Sequence, residues 1–195
     1  LGFDGPVTAA AALFGTDFFI LLGEEPEKAA RVLMKITREV LSRNKALLRR
    51  AGKPERLPHG FFADDSIQLI GVETYRQWVL PVHRLYYEEM FTTPFGQRGI
   101  HLCGDATRHF KTIHDELGVV SFDTGFPVDH GALRRQLGPD VEISGGPPVP
   151  LLLSASPSEC AAETLRILHS GIMEGGRFIL QEGNNLSPRT PLDNM

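Results

Sequence analysis

The chain has 195 residues, of which 42% are hydrophobic, 8% aromatic and 23% charged; this composition supports a sizeable buried core and excludes a disordered, collagen-like or disulfide-stapled chain. Twenty Lys and Arg against 24 Asp and Glu give a formal net charge of -4 and a pI near 6.0, so there is no basic field to attract nucleic acid or an anionic membrane. Partners are expected to be small molecules or proteins.

In chain order, short β-rich segments alternate with amphipathic helices. The apolar runs at 7–14 and 18–22 are well short of the roughly 20 residues that cross a bilayer, so no membrane span is expected. The first clear helix starts at Glu25, with Pro26 near N1, and carries Ala30, Leu33, Val40, Leu41, Leu47 and Leu48 at helical spacing until Gly52 and Pro54 stop it. Its basic end, Arg49, Arg50, Lys53 and Arg56, complements the negative end of the helix dipole. A second helix is predicted over 72–90, kinked at Pro81. Others follow at about 107–117, 129–137 and 156–171, the last opening on the capping-box pattern Ser156, Pro157, Glu159.

Between the helices, six strands are expected, at 1–3, 60–62, 99–103, 119–122, 141–144 and 177–181. They are mostly apolar along their length, as strands covered on both faces must be, and helices separate them, so the sheet is expected to be parallel. Polar and glycine residues gather just after the strands, where the βα loops of such folds converge on one site. No glycine-rich phosphate fingerprint follows a strand, which favours a (β/α)8 barrel of TIM type over an open dinucleotide-binding sheet. A complete barrel takes about 250 residues. The chain begins with Leu, and it is expected to be a single barrel domain truncated at both ends, about six βα units with the N-terminal units missing. Exposed barrel edges would then allow self-association into a homo-oligomer.

The sharpest local motif is His101-Leu102-Cys103-Gly104-Asp105. Residues two apart on a strand share a face, so His101 and Cys103 project together as candidate metal ligands, and an imidazole with a thiolate selects zinc. A hydrogen-bonded strand histidine beside a small buried thiol is the plainer alternative. Asp64 and Asp65 are adjacent, so one carboxylate should face the barrel mouth and the other its wall. Asp65 and Asp105 are the candidate acid-base residues, while Asp64, Asp123, Asn184 and Asn185 are candidate substrate contacts. The two cysteines, Cys103 and Cys160, are too few for a disulfide framework, and a reducing, cytoplasmic setting is expected.

Several segments together resemble the uroporphyrinogen decarboxylase superfamily, which includes zinc-dependent methyltransferases that work with methylated corrinoid proteins. The resemblance is carried by Gly2-Phe3-Asp4-Gly5-Pro6-Val7-Thr8, Ala63-Asp64-Asp65-Ser66, Tyr75, Leu80-Pro81, His101-Leu102-Cys103-Gly104, Asp123, Gly145-Gly146, Gly183-Asn184-Asn185-Leu186 and Thr190-Pro191-Leu192-Asp193-Asn194. It implies a barrel with its site at the C-terminal mouth. The decarboxylase branch fits poorly: its tyrosine would fall near Ala12, its strand-end serine on Asp65 and its last-loop histidine on Asn184, and its arginine and aspartate contacts would precede Leu1. The methyltransferase branch fits better, because His101 and Cys103 match its zinc pair. The cysteine that completes that metal site is replaced by Asn184, so the resemblance implies either a substitute ligand such as Asp65, Asp105 or Glu182, or a site that has exchanged metal for hydrogen bonds. The expected function is corrinoid-linked methyl transfer, with zinc activating the acceptor and a corrinoid carried by a partner protein. A metal-free decarboxylase or lyase acting on a carboxylated, tetrapyrrole-like substrate and a noncatalytic ligand-binding barrel are the alternatives.

Overall fold

A computed structural model describes residues 4–195. Among the described residues five strands, β1 (Phe61–Ala63), β2 (Arg98–Leu102), β3 (Val119–Thr124), β4 (Glu142–Gly145) and β5 (Phe178–Leu180), form one parallel sheet in the order β1-β2-β3-β4-β5. The strand expected at 1–3 lies outside the described residues, but Asp4 makes a parallel bridge to Ala63 on the edge of β1 away from β2. Strand order equals chain order. Because parallel crossovers share one hand, an order that never reverses keeps the helices on one side, which is barrel winding; a doubly wound sheet reverses its order at a switch point. The sheet is an open arc of a (β/α) barrel, since eight strands close one.

The two faces of the arc differ, against the expectation of strands apolar on both sides. Phe62, Ile100, Phe122, Ile143 and Phe178 lie side by side in register, and the first four are buried against the helices. The opposite face carries Ala63, His101, Asp123, Ser144 and Ile179 in one row, with Phe61, Gly99, Ser121 and Glu142 in the next. Period-two alternation therefore divides an apolar outer row from a largely polar inner one. That inner row is where chemistry can sit.

The helix expected from Glu25 is α3 (Pro26–Arg50), preceded by two helices whose segments stand out in the sequence only as apolar runs, α1 (Pro6–Phe14) and α2 (Thr16–Glu24). Both are short and apolar around much of their circumference, so periodicity does not mark them; they bury Val7, Ala10, Phe18 and Leu22. No single helix among the described residues is long and apolar enough to cross a membrane; α1 and α2 reach that composition only as a pair bent by 112°.

The predicted kink at Pro81 appears as a π turn, Tyr75–Val79, between α4 (Val72–Thr74) and α5 (Leu80–Met90). Pro81 has no N–H to offer, and the turn ahead of it widens so that Leu80 N–H donates to the Tyr75 carbonyl. Then come α6 (Phe110–Leu117), α7 (His130–Leu137), α8 (Val149–Ser154), which the sequence did not signal, and α9 (Pro157–Ile167). The Ser156–Glu159 capping box forms, with Ser156 N–H donating to Glu159 Oε2 at 2.8 Å.

Candidate metal centre at the strand ends

β2 ends at Leu102, so Cys103 lies one residue beyond the strand, yet its sulfur stays on the face of His101: the His101 Nε2 to Cys103 Sγ distance is 2.9 Å. Gly104 then turns the chain with φ +71°, and a Cβ there would lie 1.7 Å from the Gln68 side-chain oxygen, so both the conformation and the space call for glycine. This turn brings the Cys103 N–H onto Asp65 Oδ1 at 2.8 Å, and the same carboxylate oxygen sits 3.8 Å from His101 Nε2. Asp65, His101 and Cys103 thus present one oxygen, one nitrogen and one sulfur, all within 4.8 Å of one another.

The next strand orients the histidine. Asp123, beside His101 across the β2–β3 ladder, accepts the His101 Nδ1–H at 2.7 Å. Gln181, just after β5, donates its amide N–H to the other Asp123 oxygen at 2.7 Å. The Asp123 hydrogen bond, followed by that to Cys103, raises the His101 pKa to about 10, so without a metal the ring is an imidazolium whose Nε2–H points at sulfur. Asn184 Nδ2 also donates to Cys103 Sγ, at 2.9 Å, while its oxygen accepts the Asn185 N–H at 2.7 Å.

A cleft of about 300 Å³ opens over this cluster, lined by Phe61, Ala63, His101, Asp123, Gln181, Glu182, Asn184 and Asn185. Neither Lys nor Arg is among these lining residues, and His101 is the cationic group they include.

Two of the sequence-nominated residues stand apart. Asp105 is exposed; hydrogen bonding from Thr107, its side chain first and then its N–H at 3.3 Å, holds the carboxylate below the usual range, and Arg108 lies 3.9 Å away. Local turn chemistry thus directs the proposed acid-base group away from the cluster. Asp64 is fully buried and turned to the wall: it accepts from Val7 N–H, Thr8 N–H and His83 Nε2–H, leaving no free edge for a substrate. Asp65, Asp123, Asn184, His101 and Cys103 converge, with the exposed Asn185 at the rim. Gln181 was not singled out in the sequence, because a lone glutamine after a strand carries no spacing signal.

The donor set suits zinc. Nitrogen, sulfur and carboxylate oxygen are its usual ligands, and a carboxylate on the far ring nitrogen of a ligating histidine is the usual outer support. Of the substitutes for the missing cysteine, Asp65 is the one in position, and Asn184 serves as a hydrogen-bond donor to the sulfur.

A family model described as uroporphyrinogen decarboxylase (URO-D) matches residues 2–195. A methylated-thiol–coenzyme M methyltransferase of Methanosarcina mazei is 31% identical over 139 residues, covering 69% of this chain and 35% of that protein. A solved methyltransferase from Methanosarcina mazei aligns with 99% of this chain and 54% of its own, at a TM-score of 0.72 and 21% identity, a likeness of fold. This chain spans about a third of the length of the curated relative and about half that of the solved one.

Proposed function

Because the chain belongs to the uroporphyrinogen decarboxylase family, we propose that its strand-end cluster is a methyl-transfer site in which Asp65, His101 and Cys103 hold zinc. The observation that carries this reading is the O, N, S donor trio within 4.8 Å, with Asp123 anchoring the far nitrogen of its histidine at 2.7 Å. The relative's name, which pairs a methylated thiol with coenzyme M, supports methyl transfer at sulfur. Zinc held by these three side chains would supply Lewis acidity that favours the thiolate form of an acceptor thiol, its proton passing to solvent, and that thiolate would take the methyl group as the bond to the methyl donor breaks.

The chain's own residues do the rest. Asp123 keeps the proton on His101 Nδ1, so Nε2, once deprotonated, would be the ring atom to hold the metal. Gln181 fixes the Asp123 carboxylate from the far side. Asn184 and Asn185 offer amide groups at the cleft wall for a polar acceptor, and half-exposed Phe61 supplies an apolar floor. A corrinoid protein as methyl donor and a cytoplasmic setting, consistent with the free Cys103 and Cys160, complete the proposal.

The test is elemental analysis of protein purified without added metal, beside a methyl-transfer assay with a methylated corrinoid donor and a thiol acceptor. About one zinc per chain, lost in His101→Ala and in Cys103→Ala, is expected. A zinc content near zero that His101→Ala leaves unchanged would sink the metal reading.

A further inference from the structure

Behind the cluster lies a second, wholly buried set of polar side chains. Tyr75 OH lies 3.0 Å from His83 Nδ1, and His83 Nε2 lies 2.7 Å from Asp64 Oδ2. All three residues have no exposed surface. Asp64 also accepts the Val7 N–H at 3.1 Å and the Thr8 N–H at 2.7 Å, the first free amides of α1. With Asp64 accepting from Nε2–H, Nδ1 is left to face the Tyr75 hydroxyl.

Capping a helix takes one exposed Ser or Asp. A carboxylate brought fully out of water costs several kcal/mol unless its oxygens are filled, so an imidazole and a phenol behind the cap are a large investment for capping alone. What else the arrangement fixes is the backbone at the site. Asp64 N–H donates to the His101 carbonyl at 3.3 Å, the next residue, Asp65, accepts the Cys103 N–H at 2.8 Å, and Ser66 N–H donates to Thr8 Oγ1 at 3.1 Å. The Asp64–Asp65 dipeptide is therefore tied to both His101 and Cys103. With Asp64 locked to one side, Asp65 is aimed to the other. Gly5 makes this close packing feasible, because a Cβ there would lie 2.5 Å from Asp64 Cβ and Cγ.

We propose that Tyr75, His83 and Asp64 are positioning residues for the strand-end site, a buried relay that holds the Asp65 carboxylate on the Cys103 amide and so sets the mutual placement of Asp65, His101 and Cys103. The value of this placement for a metal rests on the zinc reading above; the placement itself does not. Two readouts separate them. The first, on metal-free protein, is hydrogen exchange at the Cys103 amide. His83→Leu is expected to speed it about tenfold, the loss of one hydrogen bond, while amides within β3 keep their rates and His83→Gln, which retains an N–H for Asp64, restores the slow rate. Tyr75→Phe, which removes only a hydroxyl and serves if His83→Leu does not fold, is expected to speed it a few-fold. The second is Co²⁺ binding followed by its thiolate charge-transfer band, where the same variants are expected to weaken affinity by about 10- to 100-fold. Wild-type exchange at Cys103 in the folded variants, or a uniform rise across the sheet, overturns the proposal. Wild-type protein that shows no thiolate band with Co²⁺ removes the metal reading and leaves the exchange result to decide this one.

Discussion

Replacing Asp123 by Asn conserves shape and removes one acceptor. Asp123 Oδ2 accepts from His101 Nδ1–H and Oδ1 from Gln181 Nε2–H, each at 2.7 Å. An amide has a single oxygen, so in either orientation its NH2 group meets another N–H donor. If the oxygen serves Gln181, the imidazole loses its anchor; if it serves His101, a neutral acceptor replaces a charged one. Support of this kind for a ligating histidine is worth about 10- to 100-fold in metal affinity, which is about 1.4 to 2.7 kcal/mol. Competition with a chromophoric chelator, on wild type and Asp123→Asn side by side, measures the zinc affinity directly. Adding Gln181→Leu to Asp123→Asn removes the donor conflict and is expected to recover part of the loss. An Asp123→Asn protein that binds zinc as tightly as wild type refutes the reasoning.

Two further outcomes concern stability. His109 is fully buried, its Nε2–H donates to the Ile70 carbonyl at 3.1 Å, and burial lowers its pKa to about 4. The unfolded chain takes up this proton first, near pH 6.5, so the stabilisation is complete above that pH and drains as pH falls toward 4, by about 3 kcal/mol in all. Urea unfolding at a series of pH values should show this slope, and His109→Gln should flatten it; an identical slope in the variant contradicts the assignment. Arg134 is buried, and its guanidinium donates to the carbonyls of Ile172, Gly138, Val141 and Arg177 at 3.1, 2.8, 2.6 and 2.8 Å, joining the end of α7 to the starts of β4 and β5. Arg134→Leu leaves these acceptors unfilled and is expected to cost about 3 kcal/mol in denaturant unfolding, with Arg134→Lys recovering only part, because one ammonium cannot reproduce the planar fork. A loss below about 1 kcal/mol would show that water fills the gap.

Local rules made much of this protein legible from its sequence. The alternation of β-rich and helical segments announced a parallel α/β sheet, Pro26 and the Ser156–Glu159 pair marked helix starts, and the two-residue spacing of His101 and Cys103 placed both on one face, because each of these effects acts over a few residues. α1 and α2 escaped because an apolar helix has little periodicity to detect. The division of labour between Asp64 and Asp65 needed the structure to assign, since adjacent side chains diverge but nothing local says which one meets the α1 N-terminus and which meets Cys103. Asp105 looked as well placed as Asp65 until the turn at Gly104 took its carboxylate to Thr107. Gln181, 58 residues beyond Asp123, joined the site only because parallel pairing brings distant strand ends together. Sequence determines which groups are available and which local turns they favour; which of them meet is decided by register, where a single-residue slip would exchange the polar row of His101 and Asp123 for the apolar row of Ile100 and Phe122.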